Sequence, residues 1–464
     1  MSSTSPTPWI LNGFAMNVVG HISAGLWRHP QDQAYRYTEL DHWTRLARLL
    51  DDGGFDTLFL ADAVGPIDVY QGRFDAALRN GVQSPIDDPM LLVSAMAAAT
   101  EHLGFGITVS TTYEQPFLLA RKFTTLDHLT KGRIAWNIVT SALDSAARNL
   151  GLKEAIDHDE RYEMAQEFLE VSYKLWEGSW EDGAVVHDRA RGVFVDASKV
   201  HAIHHQGKYF QVQDANLSQP SLQRTPLLFQ AGASSRGREF AARNAEVVFL
   251  GGATAADIRR SIEATRQAAV AAGRSADSIR FITGATVITA ATDAEAKAKY
   301  QEFLDLADME AALVLFSAWT GIDWSQYPLD HPLQYIETNA IRSALANFTR
   351  MDAEKRWTLG DIARYIGVGG LHQTFVGGPQ TVADALERYA QEAGVDGFNF
   401  GYAINPGTFE DFVQHLSPEL RRRGRIRPRP DAPQTLRERF QGQAQLRSDH
   451  PGRQWRHWEV GQRR

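Results

Sequence analysis

Leu103-Gly-Phe-Gly-Ile-Thr-Val-Ser110, the segment Pro116–Thr130, and Arg133-Ile-Ala-Trp-Asn-Ile-Val-Thr140 together decide the fold. The two flanking runs are short, nearly all apolar and rich in β-branched residues, which suits strands buried on both faces of a parallel sheet. The segment between them has helical period and opens on a proline, where a helix tolerates one. The rhythm recurs along the chain. Similar apolar runs lie at Trp9–Phe14, Asp56–Ala61, Pro226–Ala231, Glu246–Leu250, Arg280–Thr289 and Gly397–Ala403. Helical periodicity fills Thr38–Asp52, Pro89–His102, Glu160–Glu177, Arg236–Asn244, Thr254–Ala272, Asp293–Met309 and Thr381–Gly394. Eight strands alternating with helices predict an α/β fold, a (β/α)₈ TIM barrel, better than an open doubly wound sheet.

A minimal barrel takes about 250 residues, and the chain has 464. The reading is therefore a barrel domain over 1–424 with insertions near 63–88, 178–225 and 311–375, followed by a C-terminal extension over 425–464. Insertions after strands fall on the catalytic face of such a barrel, where they build pockets. The extension carries ten arginines against four acidic residues and no lysine. It reads either as an anion-binding or subunit-clasping arm, or as a solvated segment over an acidic neighbour.

Composition removes several kinds of chemistry. There is no cysteine, so disulfides, thiolate metal sites, iron–sulfur ligation and a cysteine nucleophile are excluded. A formal net charge of −8 argues against a nucleic-acid partner. The chain has no apolar run of membrane-spanning length, and its start lacks a signal-peptide plan, so no membrane partner and a cytoplasmic location are expected.

Gly232-Ala-Ser-Ser-Arg-Gly237 has P-loop spacing, but Arg238-Glu239 stands where Lys-Ser/Thr would be, so magnesium–nucleotide chemistry is not expected. A strand running into this loop and then a helix still makes a metal-free phosphate cradle, with Ser234 and Ser235 at the helix N-terminus. An ordinary capping turn fits the motif equally well. His201-x₂-His204-His205 lacks a well-placed carboxylate, so no metal site is expected. Asp62, Thr108 and Asn137 lie at the ends of three successive strands, which suggests a flat polar heterocycle on the barrel mouth. In His158-Asp-Glu-Arg-Tyr162 the spacing puts His158 and Tyr162 on one helical face. That motif reads equally as a capped helix start with Tyr162 in the core.

These motifs, with Leu58–Asp62, Gly132–Ser141, Gln230–Gly237, Trp319-Thr-Gly-Ile-Asp323, Tyr327-Pro-Leu-Asp330 and Gly377–Asp384, resemble the flavin-dependent monooxygenases of the bacterial-luciferase superfamily. The likeness runs from about Trp9 to Gly424 and lies with the nitrilotriacetate, dibenzothiophene-sulfone and dimethyl-sulfide monooxygenase branch. The resemblance implies a two-component enzyme that takes non-covalent reduced FMN (FMNH₂) from a separate NAD(P)H:flavin reductase. With O₂ as cosubstrate it would oxidise a small organic heteroatom compound through a flavin peroxide, cleaving C–S or C–N bonds. It implies that Asp62, Thr108 and Asn137 contact the flavin ring, and that His158, Tyr162, Ser234 and Ser235 hold its phosphate. Relatives of this kind are commonly dimers or tetramers, which implies a homo-oligomer. His21, just beyond the first strand, is a candidate catalytic proton donor or else a polar residue lining the pocket. Trp319 stands where the sulfone branch carries a histidine, which brings the chain nearer the dimethyl-sulfide sequences. A riboflavin-degrading lyase of the same family (riboflavin to lumichrome), a deazaflavin-dependent relative and a sugar-phosphate barrel enzyme are the alternatives.

Overall fold

Parallel strands with apolar residues on both faces must find cover on both, and closing the sheet into a ring provides it. In the computed structural model, which describes residues 7–232, 234–332, 348, 350–351 and 355–456, the ring is complete. The first four strands are β1 (Ile10–Met16), β2 (Thr57–Ala61), β3 (Gly104–Ser110) and β4 (Ile134–Val139). Two small antiparallel hairpins follow, β5 (Val185–Asp188) with β6 (Val193–Val195), and β7 (His205–Gln206) with β8 (Gln211–Val212). The remainder are β9 (Leu227–Gln230), β10 (Val247–Leu250), β11 (Arg280–Thr289), β12 (Gln373–Gly377) and β13 (Gly397–Gly401). The barrel runs β1-β2-β3-β4-β9-β10-β11-β13 and back to β1, every pairing parallel. All eight strands expected from the sequence are those of the ring.

β12 is additional. It pairs along Ala285–Thr289 of β11, on the edge opposite β13 and beyond the Arg280–Thr283 stretch that pairs with β10. Its five residues include exposed Gln373 and half-buried Thr374, so it lacks the continuous apolar signal of the ring strands.

Alternate ring residues fill the interior. Ile10, Phe59, Ala135, Leu227, Phe229, Val247 and Ile282 pack together there, with Phe14 and Phe249 against them. Gly106 is small for a reason: a Cβ there would lie 2.9 Å from the Phe229 ring and 3.2 Å from that of Phe59.

The insertions are more ordered than the sequence suggested. The 178–225 stretch holds the two hairpins. The 311–375 stretch, for which the sequence shows no helical period, opens within the helix Met309–Thr320, in which Ala311–Ser317 are all buried. A helix apolar on every face shows no amphipathic period, which is why periodicity missed it. A second helix, Leu359–Ile366, leads toward β12. Part of this insertion, 333–347 with 349 and 352–354, lies outside the described residues, as does 457–464 of the C-terminal extension.

Over its described length the basic tail does lie over acidic neighbours, but several of its arginines are buried and not solvated. A helix, Leu436–Gln441, is opened by a capping box of Thr435 and Glu438. It inserts Leu436 and Phe440 into the bottom of the barrel, where Phe440 stacks on Phe229 with centroids 6.4 Å apart. Arg437 is fully buried and forks onto Glu246, Nε–Oε1 at 2.7 Å and Nη2–Oε2 at 2.9 Å. Arg456 is likewise buried against Glu177 at 2.6 Å. The tail is basic because the body beneath it buries acids.

Leaving one member of a buried ion pair unpaired costs about 3–5 kcal/mol. Arg437→Ala is therefore expected to lower unfolding free energy by about that amount in denaturant titration. A loss no larger than that of an exposed control such as Arg429→Ala would contradict the tail's role as core.

Candidate active site at the barrel mouth

The C-terminal ends of the ring strands carry the polar groups singled out from the sequence. Thr108 on β3 and Asn137 on β4 are partners in register. Both are buried, and Asn137 Nδ2 donates to Thr108 Oγ1 at 3.0 Å. Asn137 Oδ1 is left buried without a partner. A desolvated acceptor of that kind costs about 1–3 kcal/mol unless a donor meets it.

A second polar group forms where β9 runs into the helix Ser235–Asn244. Ser234 caps that helix, its Oγ accepting from Gly237 N at 3.0 Å. The Tyr162 hydroxyl lies beside the side chains of Ser234 and Thr140, and burial raises its pKa, so it stays protonated. A Cβ at Gly237 would come within 2.7 Å of Tyr162 Oη. His158 lies edge-on to Tyr162 at 5.2 Å, with Nδ1 on Asp159 Oδ1 at 2.8 Å. Both readings of this motif hold in part. Asp157 caps the helix His158–Tyr173 and Tyr162 packs against Phe240, while its hydroxyl still reaches the Ser234 cap. Ser235 is the exposed first residue of its helix, and Ala233 lies outside the described residues.

The third feature is a cavity of about 260 Å³. Its apolar lining includes Phe14, Met16, Ile22, Ala61, Trp319 and Leu371, and its polar lining His21, Asp62, Gln83 and His372. Phe14 stacks on Phe59 at 5.2 Å and Phe59 on Phe249 at 4.5 Å, so the cavity floor is an aromatic layer. His21 is buried edge-on to Phe14 at 4.4 Å. Burial, and secondarily His372, lowers its pKa to about 3. It is a neutral imidazole at neutral pH, so any role in proton donation falls to a neutral N–H and not to an imidazolium. Gln83 Nε2 donates to the His21 carbonyl at 3.2 Å. Asp62 is half-buried, and burial raises its carboxyl to about 6 even though Ala63 N donates to it at 2.9 Å.

The structure thus joins Thr108 to Asn137, joins His158, Tyr162 and Ser234 into one cluster, and puts His21 and Asp62 on one cavity. The sequence reading missed His372 as a site residue, because it immediately precedes the unrecognised β12. His201, His204 and His205 do not converge on a metal. His201 meets Glu181, His204 meets Gln213, and His205 lies between Glu167 and Lys174. Among the described residues no group of three or more His, Cys, Asp or Glu is gathered to hold a metal ion.

Residues 20–397 match the luciferase-like monooxygenase family. The chain belongs to that family. This luciferase-like monooxygenase is 51% identical over 454 residues to the dimethyl-sulfide monooxygenase of Hyphomicrobium sulfonivorans, covering 97% of this chain and 94% of that one. The crystal structure of DmoA from that organism superposes with a TM-score of 0.92 over 98% of this chain and 97% of the other. The long-chain alkane monooxygenase of Geobacillus thermodenitrificans is 46% identical over 448 residues, 96% of this chain and 97% of that protein. A riboflavin lyase crystallised with modified FMN and its substrate riboflavin is 39% identical, with a TM-score of 0.89 over 97% and 100% of the two chains. The family resemblance and the barrel read from the sequence are both borne out, and the enzyme class is flavin-dependent monooxygenase.

The Asp62 carboxyl gives a test with a definite sign. Its folded pKa is raised to about 6, so its contribution to stability is lost as pH climbs from about 4 to 6. Asp62→Asn in the luciferase-like monooxygenase is expected to melt at the wild-type temperature at pH 4. At pH 8 it is expected to be more stable by roughly 1–2 kcal/mol, the full shift being reduced by solvent screening. An equal melting difference at both pH values would contradict a strained carboxylate.

Proposed function

We propose that this luciferase-like monooxygenase accepts reduced FMN from a separate NAD(P)H:flavin reductase and, with O₂, oxidises a small organic heteroatom compound, breaking a C–S or C–N bond. A thioether of the dimethyl-sulfide type is the favoured substrate. The observation that carries this reading is the small apolar cavity set beside two polar clusters that suit a phosphate and a heterocycle.

The residues fit the flavin. The Tyr162, Ser234 and Thr140 hydroxyls at a helix N-terminus suit a ribityl phosphate, with His158 and Ser235 at their margin. The unpartnered Asn137 Oδ1 beside Thr108 suits a ring N–H, with Asp62 nearby on the cavity wall. When bound, reduced FMN supplies the two electrons that activate O₂.

The chain's own residues do the rest. Phe14, Met16, Ile22, Trp319 and Leu371 exclude water from the reacting atoms, and they receive a thioether without asking for a hydrogen bond. Oxygen inserted next to sulfur leaves one carbon bearing both hydroxyl and thioether, which collapses to an aldehyde and a thiol. His21, held neutral by burial, offers its N–H to that hydroxyl oxygen as a fixed hydrogen-bond donor. Its catalytic role is of this kind.

The riboflavin lyase likeness supports a second reading, in which riboflavin is the substrate and lumichrome the product. The cavity volume of about 260 Å³ favours the smaller molecule. A homo-oligomer and a cytoplasmic location belong to the same proposal. No helix among the described residues is long and apolar enough to cross a membrane.

Purified enzyme supplied with FMNH₂ by an unrelated reductase separates the two readings. Dimethyl sulfide is expected to yield methanethiol and formaldehyde in equal amounts, with one O₂ consumed per turnover in coupled cycles. Lumichrome from riboflavin, with dimethyl sulfide untouched, would establish the lyase reading instead.

A further inference from the structure

The segment Gly369–His372 is fitted onto the barrel mouth by unusually close contacts. Gly369 and Gly370 both have positive φ, +85° and +63°. A Cβ at Gly369 would lie 2.6 Å from Thr286 Oγ1, and one at Gly370 would lie 3.1 Å from the Trp319 ring. Gly369 N donates to Ser23 Oγ at 3.1 Å, and Ser23 Oγ donates in turn to the Tyr402 carbonyl at 2.7 Å. The bend delivers His372 to a recess left by two further glycines on ring strands. A Cβ at Gly284 of β11 would fall 2.3 Å from His372 Cδ2, and one at Gly401 of β13 would fall 3.1 Å from His372 Nδ1. The ring stacks on Phe14 with centroids 5.6 Å apart and planes 28° apart. His372 thus has one defined seat, and it forms part of the cavity wall with Leu371 and Trp319.

We propose that His372, seated by Gly284 and Gly401, is the specificity-determining residue that sets how long a substrate chain the cavity accepts. This rests on reading the cavity as the substrate site. Three observations converge on it. The ring is fixed from below by two glycines, from one side by an aromatic face, and along its own segment by the Ser23 bond, so it cannot swing aside for a longer guest. The wall on either side of it, Leu371 and Trp319, is apolar and makes no directional demand, which leaves size as the discriminating property at that end of the cavity. The insertion that carries Trp319 ends in this segment, so its beginning and its end meet on one wall, where Gly370 lies against the Trp319 ring.

The test uses equilibrium binding to the full-length, flavin-free enzyme, with two homologous probe series: dialkyl sulfides from dimethyl to dibutyl, and n-alkanols from ethanol to octanol. Each methylene that fits should tighten binding about fourfold. Wild type is expected to follow this trend up to a cut-off and then lose affinity. His372→Ala is expected to move the cut-off to longer chains in both series, with at least a tenfold gain for the first probe that wild type rejects. Gly284→Ala, which would push the ring into the cavity, is expected to shorten the cut-off, and His372→Ala/Gly284→Ala to restore it. That rescue separates a wall residue from one needed only for folding.

If alkanols show the cut-off and its shift while no sulfide binds, the length-setting role stands and the thioether reading falls. If the cut-off stays in place in the His372→Ala protein, checked for native melting, the proposal is overturned. It is also overturned if neither series binds to wild type.

Discussion

A closed ring of eight parallel strands has an interior that must be filled from within, and this constraint organises the whole molecule. The middle is filled by the strands themselves, with Phe59, Phe229 and Phe249 in mutual contact and Gly106 yielding space to two of them. The bottom is not closed by the ring, and the chain returns more than 400 residues after β1 begins to place Leu436 and Phe440 there. The top is filled only in part. His372 descends onto Gly284 and Gly401, and the space left beside it is the cavity. Fold and site are two ends of one packing problem.

The same enclosure sets the electrostatics. Burial holds His21 and His372 neutral and strains Asp62 toward its protonated form. Buried ion pairs join the tail to the body, Arg437 with Glu246 and Arg456 with Glu177. Those pairs lie at the bottom and flank of the barrel, away from the mouth. Apart from the Asp62 carboxylate, the mouth keeps neutral donors and acceptors, a suitable setting for chemistry that must exclude water.

Much of this was legible in the sequence because ring strands are apolar on both faces and short, so that Arg133–Thr140 or Arg280–Thr289 stood out without an alignment. Thr108, Asn137, Tyr162 and Ser234 were legible as polar residues at strand ends and helix starts, and the structure gathers them into pairs and clusters. Three features were not. The helix Met309–Thr320 is apolar on all faces and has no period. β12 is too polar to announce itself, and His372 was missed with it. The arginines of the tail looked like a solvated run, since only the folded chain shows which acids lie beneath Arg437 and Arg456. Local pattern reveals an element, whereas a long-range partner does not appear in it.

The absence of cysteine places the burden of redox chemistry on a cofactor, for which the barrel mouth is the proposed site. A crystal structure of the enzyme soaked with reduced FMN under anaerobic conditions tests this most directly. The expected result places the phosphate between the Tyr162 hydroxyl and the Ser234 cap, with the ring edge on Asn137 and the cavity lined by His21 and His372 open to its reactive face. Flavin bound elsewhere on the chain, with the Tyr162–Ser234 cluster and Asn137 untouched at saturating ligand, would contradict it.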